Sequence, residues 1–336
     1  MGHRKHSAPR RGSLAFYPRH RVATLNPVVR NWPTIVSEKP TLLGFPGFKA
    51  GMTSVVTVDD REKTPNFGKP MYNATTVVVA PRITIIGIRY YTKRVGISTV
   101  LGEVYAQDLP KDLERVMRVK PKPVDQLLSI MEGRFDEIVR FVAMVYISPR
   151  DAGLAQKKPY IFEIQIGGGD KKAQLDYLKS ILGKTISVRD VFVLGNYIDI
   201  ISVSRGQGFE GPVTRFGIKR LQHKSRKSVR AVGVIGPWHP ASVMWTVPRA
   251  GQHGFHQRIE SQKRLLGFGN YDGTEEVKAT FQHFGVIKGD FLLVKGSISG
   301  PPKRFIKMRF SVRGRDNIKP KGAKILEVGD NLRLSE

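Results

Sequence analysis

The 336-residue sequence contains no cysteine, which excludes disulfide bonds, thiolate metal sites and cysteine catalysis. It is also poor in acid, because 28 Asp and Glu stand against 56 Lys and Arg, giving a formal net charge of +28. Charge of that size opposes compaction and indicates a polyanionic partner such as RNA or DNA. No apolar run approaches the roughly 20 residues that span a bilayer, and no apolar leader follows the N-terminus. We therefore expect an intracellular protein without a membrane partner.

Acidic residues are missing altogether from two long stretches. Residues 1–37 hold seven cations before Glu38, are interrupted by four prolines and show no helical or strand period. The stretch between Glu210 and Glu260 holds nine cations and four histidines. Unpaired cations cannot pack in a dry core. We therefore predict two extended basic arms, ordered by nucleic acid whose phosphates the cations neutralise.

The rest of the chain mostly has the pattern of strands, and its 40% hydrophobic content is enough for a core. Short β-rich runs separated by turns predict an antiparallel barrel or sandwich. We predict strands at 54–58, 74–80, 83–90, 99–105, 137–147, 161–166, 191–203, 291–298 and 303–312. A glycine-rich corner is expected at 44–53, helices at 108–119, 124–132 and 170–182, and little periodicity over 205–270. Asp170 is the expected N-cap of the third helix, and Gly183 follows its end.

Two motifs suggest small ligands, and neither is well supported. Residues 206–211 match GxGxxG, but Pro212 follows at once and no acid lies about 20 residues on, as a dinucleotide site would need. These glycines are better explained by a tight turn or by close approach of the backbone to RNA. His253, His256 and Glu260 have the spacing of metal ligands on a helix. Neighbouring glycines disfavour a helix there, so we expect the histidines to contact phosphates or bases.

Nothing in the sequence requires an enzyme. There is no GxSxG motif, and the basic stretches lack the paired carboxylates of acid–base catalysis. Two alternatives stay open at this point: an RNA-acting enzyme with a barrel core, and a free nucleic-acid-binding protein. Trp238 lies between Pro237 and His239-Pro240, and we predict that this rigid loop exposes its indole to a base or sugar. Trp245 alternates with its neighbours like a strand residue and is predicted to pack locally.

Residues 238–256, WHPASVMWTVPRAGQHGFH, closely resemble the central extension of the ribosomal protein L3 family in its archaeal and eukaryotic form. Blocks at 2–5, 8–10, 47–53, 154–158 and 206–211 agree with the same family and run in the same order. The resemblance implies a six-stranded β-barrel of the translation-protein type, interrupted by an α/β insert and carrying long N-terminal and central basic arms. The implied division is 1–40, N-terminal arm; 41–107, first barrel segment; 108–183, insert; 184–204, second barrel segment; 205–275, central extension; and 276–336, third barrel segment with the C-terminal tail.

The resemblance also implies a function. The family consists of structural proteins of the cytoplasmic large ribosomal subunit. Its members bind 23S-type rRNA near the 3′ end, nucleate subunit assembly and extend toward the peptidyl-transferase centre, where Trp238 matches the tip tryptophan. The implied partners are 23S rRNA and neighbouring ribosomal proteins; no small-molecule substrate or cofactor is expected, apart from Mg²⁺ or K⁺ ions of the rRNA itself. The expected RNA-binding residues are His3, Arg4, Lys5, Arg10, Arg11, Arg19, Arg21, Lys49, Arg205, Arg215, Lys219, Arg220, Lys224, Arg226, Lys227, Arg230, Trp238, His239, Arg249, Gln252, His253, His256 and Arg258.

Overall fold

The computed structural model describes residues 9–35, 37–118, 123–271, 279–313, 322–329, 332 and 334, and within them the chain is mainly β with few helices, as predicted. The strands are β1 Thr41–Leu42, β2 Gly44–Val58, β3 Pro70–Val79, β4 Ile83–Arg94, β5 Ile97–Tyr105, β6 Arg140–Ile147, β7 Tyr160–Gly167, β8 Thr185–Ile186, β9 Tyr197–Val203, β10 Gly206–Glu210, β11 Gly251–Gly254, β12 Gln257–Tyr271, β13 Thr280–Phe281, β14 Gly285–Val286, β15 Gly289–Lys295, β16 Phe305–Phe310 and β17 Ile325–Val328. The α-helices are α1 Val124–Gly133, α2 Lys171–Ile181 and α3 Pro212–Phe216, and 3-10 helices cover Leu14–Phe16, Lys111–Arg115, Phe135–Glu137, Pro149–Ala152 and Val188–Asp190. None of the described helices has the length and apolar character needed to cross a membrane.

The chain divides into two compact units. The basic unit comprises the described residues of Met1–Thr24 and Val203–Arg258. The β-rich unit comprises those of Leu25–Ser202 and Ile259–Glu336.

The larger sheet closes on itself. Its strand order is β16-β9-β12-β15-β3-β2-β17, and an additional pairing joins β16 to β2, so that six strands form a ring with β17 attached to β2. Strands β15 and β16 are buried at consecutive positions, which means that both of their faces are covered. Their β-branched and aromatic residues suit such an environment.

A second sheet of six strands has the order β1-β7-β6-β4-β5, with β8 paired to β4. Helix α1 packs against β5 and α2 packs against β6. Leu175 and Leu178 supply the buried face of α2, and Gly183 has a positive φ of 78° just past its end. The predictions for α1 and α2 are therefore confirmed, although the Asp170 side chain makes no capping hydrogen bond.

Several local predictions were wrong. Residues 44–53 form part of the long strand β2 rather than a corner, with a bulge between Lys49 and Gly51. Glycine is needed there for close packing, because a Cβ at Gly44 would lie 2.5 Å from the Met308 carbonyl oxygen on β16. The helix expected at 108–119 is only the 3-10 helix Lys111–Arg115 in the described residues.

Two further elements differ from expectation. The strand predicted at 191–203 begins only at Tyr197, because Val188–Asp190 forms a capped 3-10 helix just before it. The stretch 205–270 is more regular than its composition suggested, since it contains β10, α3, β11 and most of β12. Its glycines obscured the pattern, because they break the alternation of apolar and polar residues.

Candidate nucleic-acid interface

The basic unit is organised by the pairing of β10 with β11, which joins Phe209 to Gln252 and Glu210 to Gly251. Glycine is needed for this pairing, because a larger residue would clash or would have to adopt an unfavourable backbone conformation. Gly254 has a φ of 69°, and a Cβ on it would lie only 2.1 Å from the Arg205 carbonyl oxygen. Gly208, at φ 73°, sits where the register shifts. The GxGxxG segment is thus a bulged strand followed by the helix α3, and the prediction of a tight turn there was wrong.

Arg215, at the C-terminal end of α3, is held by backbone carbonyls rather than by acids. Its Nε donates to the Gln252 oxygen at 3.0 Å, and its Nη1 donates to the Arg249 oxygen at 3.0 Å. Its Nη2 donates to the Arg19 oxygen at 3.4 Å. Burial and then the charge of Arg19 lower the pKa of Arg215. The guanidinium therefore ties the N-terminal segment to β11 while it keeps an uncompensated positive charge.

An arginine–aromatic cluster, formed by Tyr17, Arg19, Arg215 and Phe216, surrounds this point. The Arg19 guanidinium lies 4.3 Å from the Phe216 ring centre and 5.2 Å from that of Tyr17. Arg19 also donates to the Arg215 carbonyl oxygen at 3.2 Å. Cation–π contacts of this kind stabilise a cation where no carboxylate is available. Tyr17 and Phe216 were not predicted as part of this site, although each ring lies one or two residues from an arginine.

His256 is buried, with 6% of its surface exposed. Its Nδ1 lies 2.8 Å from the His20 carbonyl oxygen, and its backbone N–H donates to the Ser204 hydroxyl at 3.1 Å. Burial lowers the pKa of His256, which the His20 carbonyl opposes, and the net shift favours the neutral imidazole. This histidine supports the chain internally, and its buried ring is poorly placed to meet a phosphate.

The exposed cations form the surface of the basic unit. They are Arg10, Arg11, Arg21, Arg205, Lys219, Arg220, Lys224, Arg226, Lys227, Arg230 and Arg249. Within the described residues none of them forms a salt bridge; Arg10 donates to the Thr246 hydroxyl and Arg230 to the Thr214 hydroxyl. Gln252, His253 and Arg258 are half-buried, and the Arg258 guanidinium lies over the Phe16 ring. His3, Arg4 and Lys5 lie outside the described residues.

Lys49 belongs to the β-rich unit and is also half-buried. Its ammonium donates to the Ile298 oxygen at 2.6 Å and to the Gly300 oxygen at 2.9 Å. Burial lowers the pKa of Lys49, and the nearby Glu260 opposes this shift. Two of the three N–H donors of the ammonium are thus used to fix the loop after β15, which leaves one donor for RNA.

The two tryptophans of the long loop between α3 and β11 differ. Trp238 is 88% exposed, as predicted, and His239 beside it is exposed too. Trp245 lies in a turn and not in a strand, so that aspect of its prediction was wrong. Trp245 is 64% exposed and makes an edge-to-face contact with Tyr17, the ring centres being 5.2 Å apart, so its packing is only partial.

The described residues hold no group of three or more histidines and acids that could bind a metal ion. His253 lies on β11 and Glu260 on β12, so neither belongs to the helix that the metal spacing required. Glu260 instead pairs with Lys263 at 2.9 Å and accepts a hydrogen bond from Ser299. The arrangement presents positive charge together with the exposed indoles of Trp238 and Trp245, and these groups are suited to binding a polyanion.

Comparison with known proteins agrees with this chemistry. The family model for ribosomal protein L3 matches residues 1–327. Large ribosomal subunit protein uL3 of Methanococcus vannielii is 41% identical over 315 residues, which cover 93% of each chain. The uL3 protein of Pyrobaculum aerophilum is 43% identical over 315 residues, covering 92% of this chain and 93% of that protein. That of Methanococcus aeolicus is 42% identical over 316 residues, covering 93% and 94%.

Proposed function

Because the chain belongs to the ribosomal protein L3 family, we propose that it binds 23S rRNA directly near the 3′ end of that RNA and helps nucleate large-subunit assembly. Membership of the family makes it a protein of the large ribosomal subunit, in the cytoplasmic ribosome, and not an enzyme. The finer statements, on which RNA it binds and what its arms reach, are our proposal.

The observation that carries the proposal is the set of exposed cations on the basic unit, which lack acidic partners in the described residues. Each phosphate that such a cation neutralises releases condensed counterions, so binding gains affinity and becomes salt-dependent. Arginine suits closely packed RNA, because its planar guanidinium bridges phosphates and stacks on bases. The arginine–aromatic cluster has a different role, since Arg19 and Arg215 hold the N-terminal and central segments in place.

The central extension, 205–275, would reach toward the peptidyl-transferase centre, with Trp238 at its tip. The Trp238 indole is 88% exposed, so it makes few contacts within the protein that binding to a base or sugar would have to break. The N-terminal arm, 1–40, would run beside it into the RNA. The role of both is positional: they hold rRNA conformations and perform no chemistry.

The closed ring of six strands supports a barrel of the translation-protein type as the docking body. The segment 108–183 fits the α/β insert, because it contains α1, α2, β6 and β7. The expected barrel segments 41–107, 184–204 and 276–336 supply five strands of the ring, namely β2, β3, β9, β15 and β16. The sixth strand, β12, lies within 205–275, and β4 and β5 belong to the second sheet. Neighbouring ribosomal proteins are the other partners that this role requires.

Crosslinking the protein to RNA in cells, followed by sequencing of the attached fragments, tests the proposal. We expect reads concentrated in large-subunit rRNA, and crosslinks from residues near Trp238 in the peptidyl-transferase loop. Reads scattered over messenger or transfer RNA would contradict it. Retention in subunits washed with high salt, at one copy per subunit, separates an assembled ribosomal protein from a free nucleic-acid binder.

A further inference from the structure

The β-rich unit contains an open cavity of about 550 Å³ that the basic unit does not share. Segment 26–32 forms one wall, and residues of β4, β6, β7 and β16 form the others. Trp32 and Phe162 contribute flat apolar surface, and Gln165 contributes an amide. Its size falls in the range of sites that hold a nucleotide-sized ligand.

Lys307, on β16, lines this cavity and is only 7% exposed. In the described portion of the chain its ammonium makes no hydrogen bond and no salt bridge, and it lies over the Phe162 ring, 4.5 Å from the ring centre. Burial lowers the pKa of Lys307 to about 7, although Glu163 opposes this. A buried amine without a partner is costly to keep. Its presence therefore points to an anion that binds beside it.

Arg140, at the start of β6, adds a second cation with spare donor capacity. Its guanidinium lies 4.4 Å from the Tyr91 ring centre, and its buried Nε has no acceptor among the described residues. Arg30 adds an exposed cation to the lining. The cavity therefore has cationic donors that the protein itself leaves unused.

Among the described residues that line the cavity the acid is Glu163, and it is already neutralised. Glu163 forms an ion pair with Arg89 and accepts a hydrogen bond from the Tyr91 hydroxyl at 2.8 Å. Arg89 is shared with Glu103, at 2.6 Å. Arg140 and Arg30, joined by Lys307 whenever its amine is protonated, thus remain as an excess of positive charge among the lining residues.

We propose that this cavity receives one unpaired nucleotide of the bound RNA, with its phosphate on Lys307 and Arg140 and its base against Trp32. The inference rests on the proposed RNA binding and adds a second contact region, in the β-rich unit. Single-stranded RNA is recognised by bases that leave the stack and lie on aromatic rings, with cations on the backbone. An acidic side chain would satisfy the cations, but it would leave the aromatic walls and most of the volume empty.

Binding of the full-length protein to an rRNA fragment recovered by the crosslinking, measured against salt, tests this. Lys307→Met removes the buried amine, so we expect the free protein to melt at a higher temperature while RNA affinity falls roughly tenfold or more. The slope of log affinity against log salt should become shallower by about 0.7 to 0.9, the value for one phosphate. Lys288→Met, at an exposed lysine of the same unit, should leave the melting temperature unchanged.

Arg140→Gln gives an independent variant and should lower the affinity and the slope in the same way. If both variants keep the wild-type affinity and slope, the inference about the cavity is overturned. The proposed function would still stand in that case, provided that the wild-type protein binds the fragment with the salt dependence of a multi-phosphate contact. Failure of the wild type to bind rRNA would instead reject the proposed function. Carbodiimide coupling of Lys307 to a peptide carboxylate in intact subunits would identify a protein occupant and would also overturn the inference.

Discussion

Arg309 and Asp199 form a buried ion pair between neighbouring strands of the ring, with Nη2 and Oδ2 3.1 Å apart. They face each other in the register of β16 and β9, and their side chains are 7% and 2% exposed. The carboxylate also accepts the backbone N–H groups of Gln262 at 3.0 Å and Val312 at 3.2 Å. Arg309 donates to the Asn31 carbonyl as well. The pair therefore links four segments of the β-rich unit.

Asp199→Asn should destabilise the β-rich unit by about 3–5 kcal/mol, because it leaves the Arg309 guanidinium buried without a counter-charge. Urea unfolding followed by circular dichroism measures the loss. Asp176→Asn, at an exposed position of α2, is the matched control and should change the free energy of unfolding by less than about 0.5 kcal/mol. The double variant Asp199→Leu with Arg309→Met should recover only some of the loss, because two backbone N–H groups still lack an acceptor. Equal stability of Asp199→Asn and wild type would contradict this account.

Most strands and helices of the β-rich unit could be predicted from the pattern of apolar residues in the sequence. Alternating and continuous apolar runs predict β3 to β7, and the apolar face of α2 together with Gly183 predicts where that helix lies and ends. Contacts distant in sequence could not be predicted this way. Gly44 looked like a turn residue, and only its 2.5 Å approach to the Met308 oxygen reveals why a strand needs glycine there. Lys307 likewise falls within the predicted strand 303–312, and nothing in that pattern shows that its amine is buried.

In the basic unit, too, some features could be predicted from the sequence and others could not. Its charge, and the exposure of Trp238, could be anticipated from composition and from flanking prolines. The roles of Arg215 and His256 could not, because sequence does not distinguish an arginine that meets solvent from one that three carbonyls hold. Both were expected on RNA; in the structure the Arg215 guanidinium donates to the carbonyls of Gln252, Arg249 and Arg19, and the His256 Nδ1 lies against the His20 carbonyl.

The pKa of Lys307 predicts a pH dependence of stability. An unfolded lysine stays protonated up to a pH near 10.5, whereas the folded amine loses its proton at a pH of about 7. Between these values the unfolded chain binds more protons, so the folded state gains stability as pH rises, by up to about 1.4 kcal/mol per pH unit. The stability advantage of Lys307→Met over wild type should therefore narrow from pH 7.5 to pH 9.5. The contributions of the other titratable groups cancel when the free energies of unfolding of the two proteins are compared. A difference that stays constant between pH 7.5 and pH 9.5 would contradict a lowered pKa of Lys307.

Gly254→Ala should disrupt the pairing of β10 with β11. A methyl group would meet the Arg205 carbonyl oxygen at 2.1 Å, and the φ of 69° is itself unfavourable for alanine. We expect a local cost of at least about 1–3 kcal/mol, typical of a strained backbone position. Faster hydrogen exchange of the backbone amides of β10 measures it. Gly236→Ala is the control in the same unit, because the nearest atom to its added Cβ is 4.0 Å away. Equal exchange rates in both variants would show that the methyl group on residue 254 is accommodated without weakening the pairing of β10 with β11.

Trp238→Ala and Trp245→Ala separate a functional indole from a structural one. Trp238 is 88% exposed, so its loss should change the free energy of unfolding by less than about 0.5 kcal/mol. Trp245→Ala should cost about 0.5–1.5 kcal/mol, because it removes the edge-to-face contact with Tyr17. In assembled subunits we expect the opposite order, with Trp238→Ala impairing A-site tRNA binding more than Trp245→Ala does. Normal tRNA binding by subunits that carry Trp238→Ala would reject the placement of this tip near the catalytic centre, while leaving rRNA binding through the exposed cations intact.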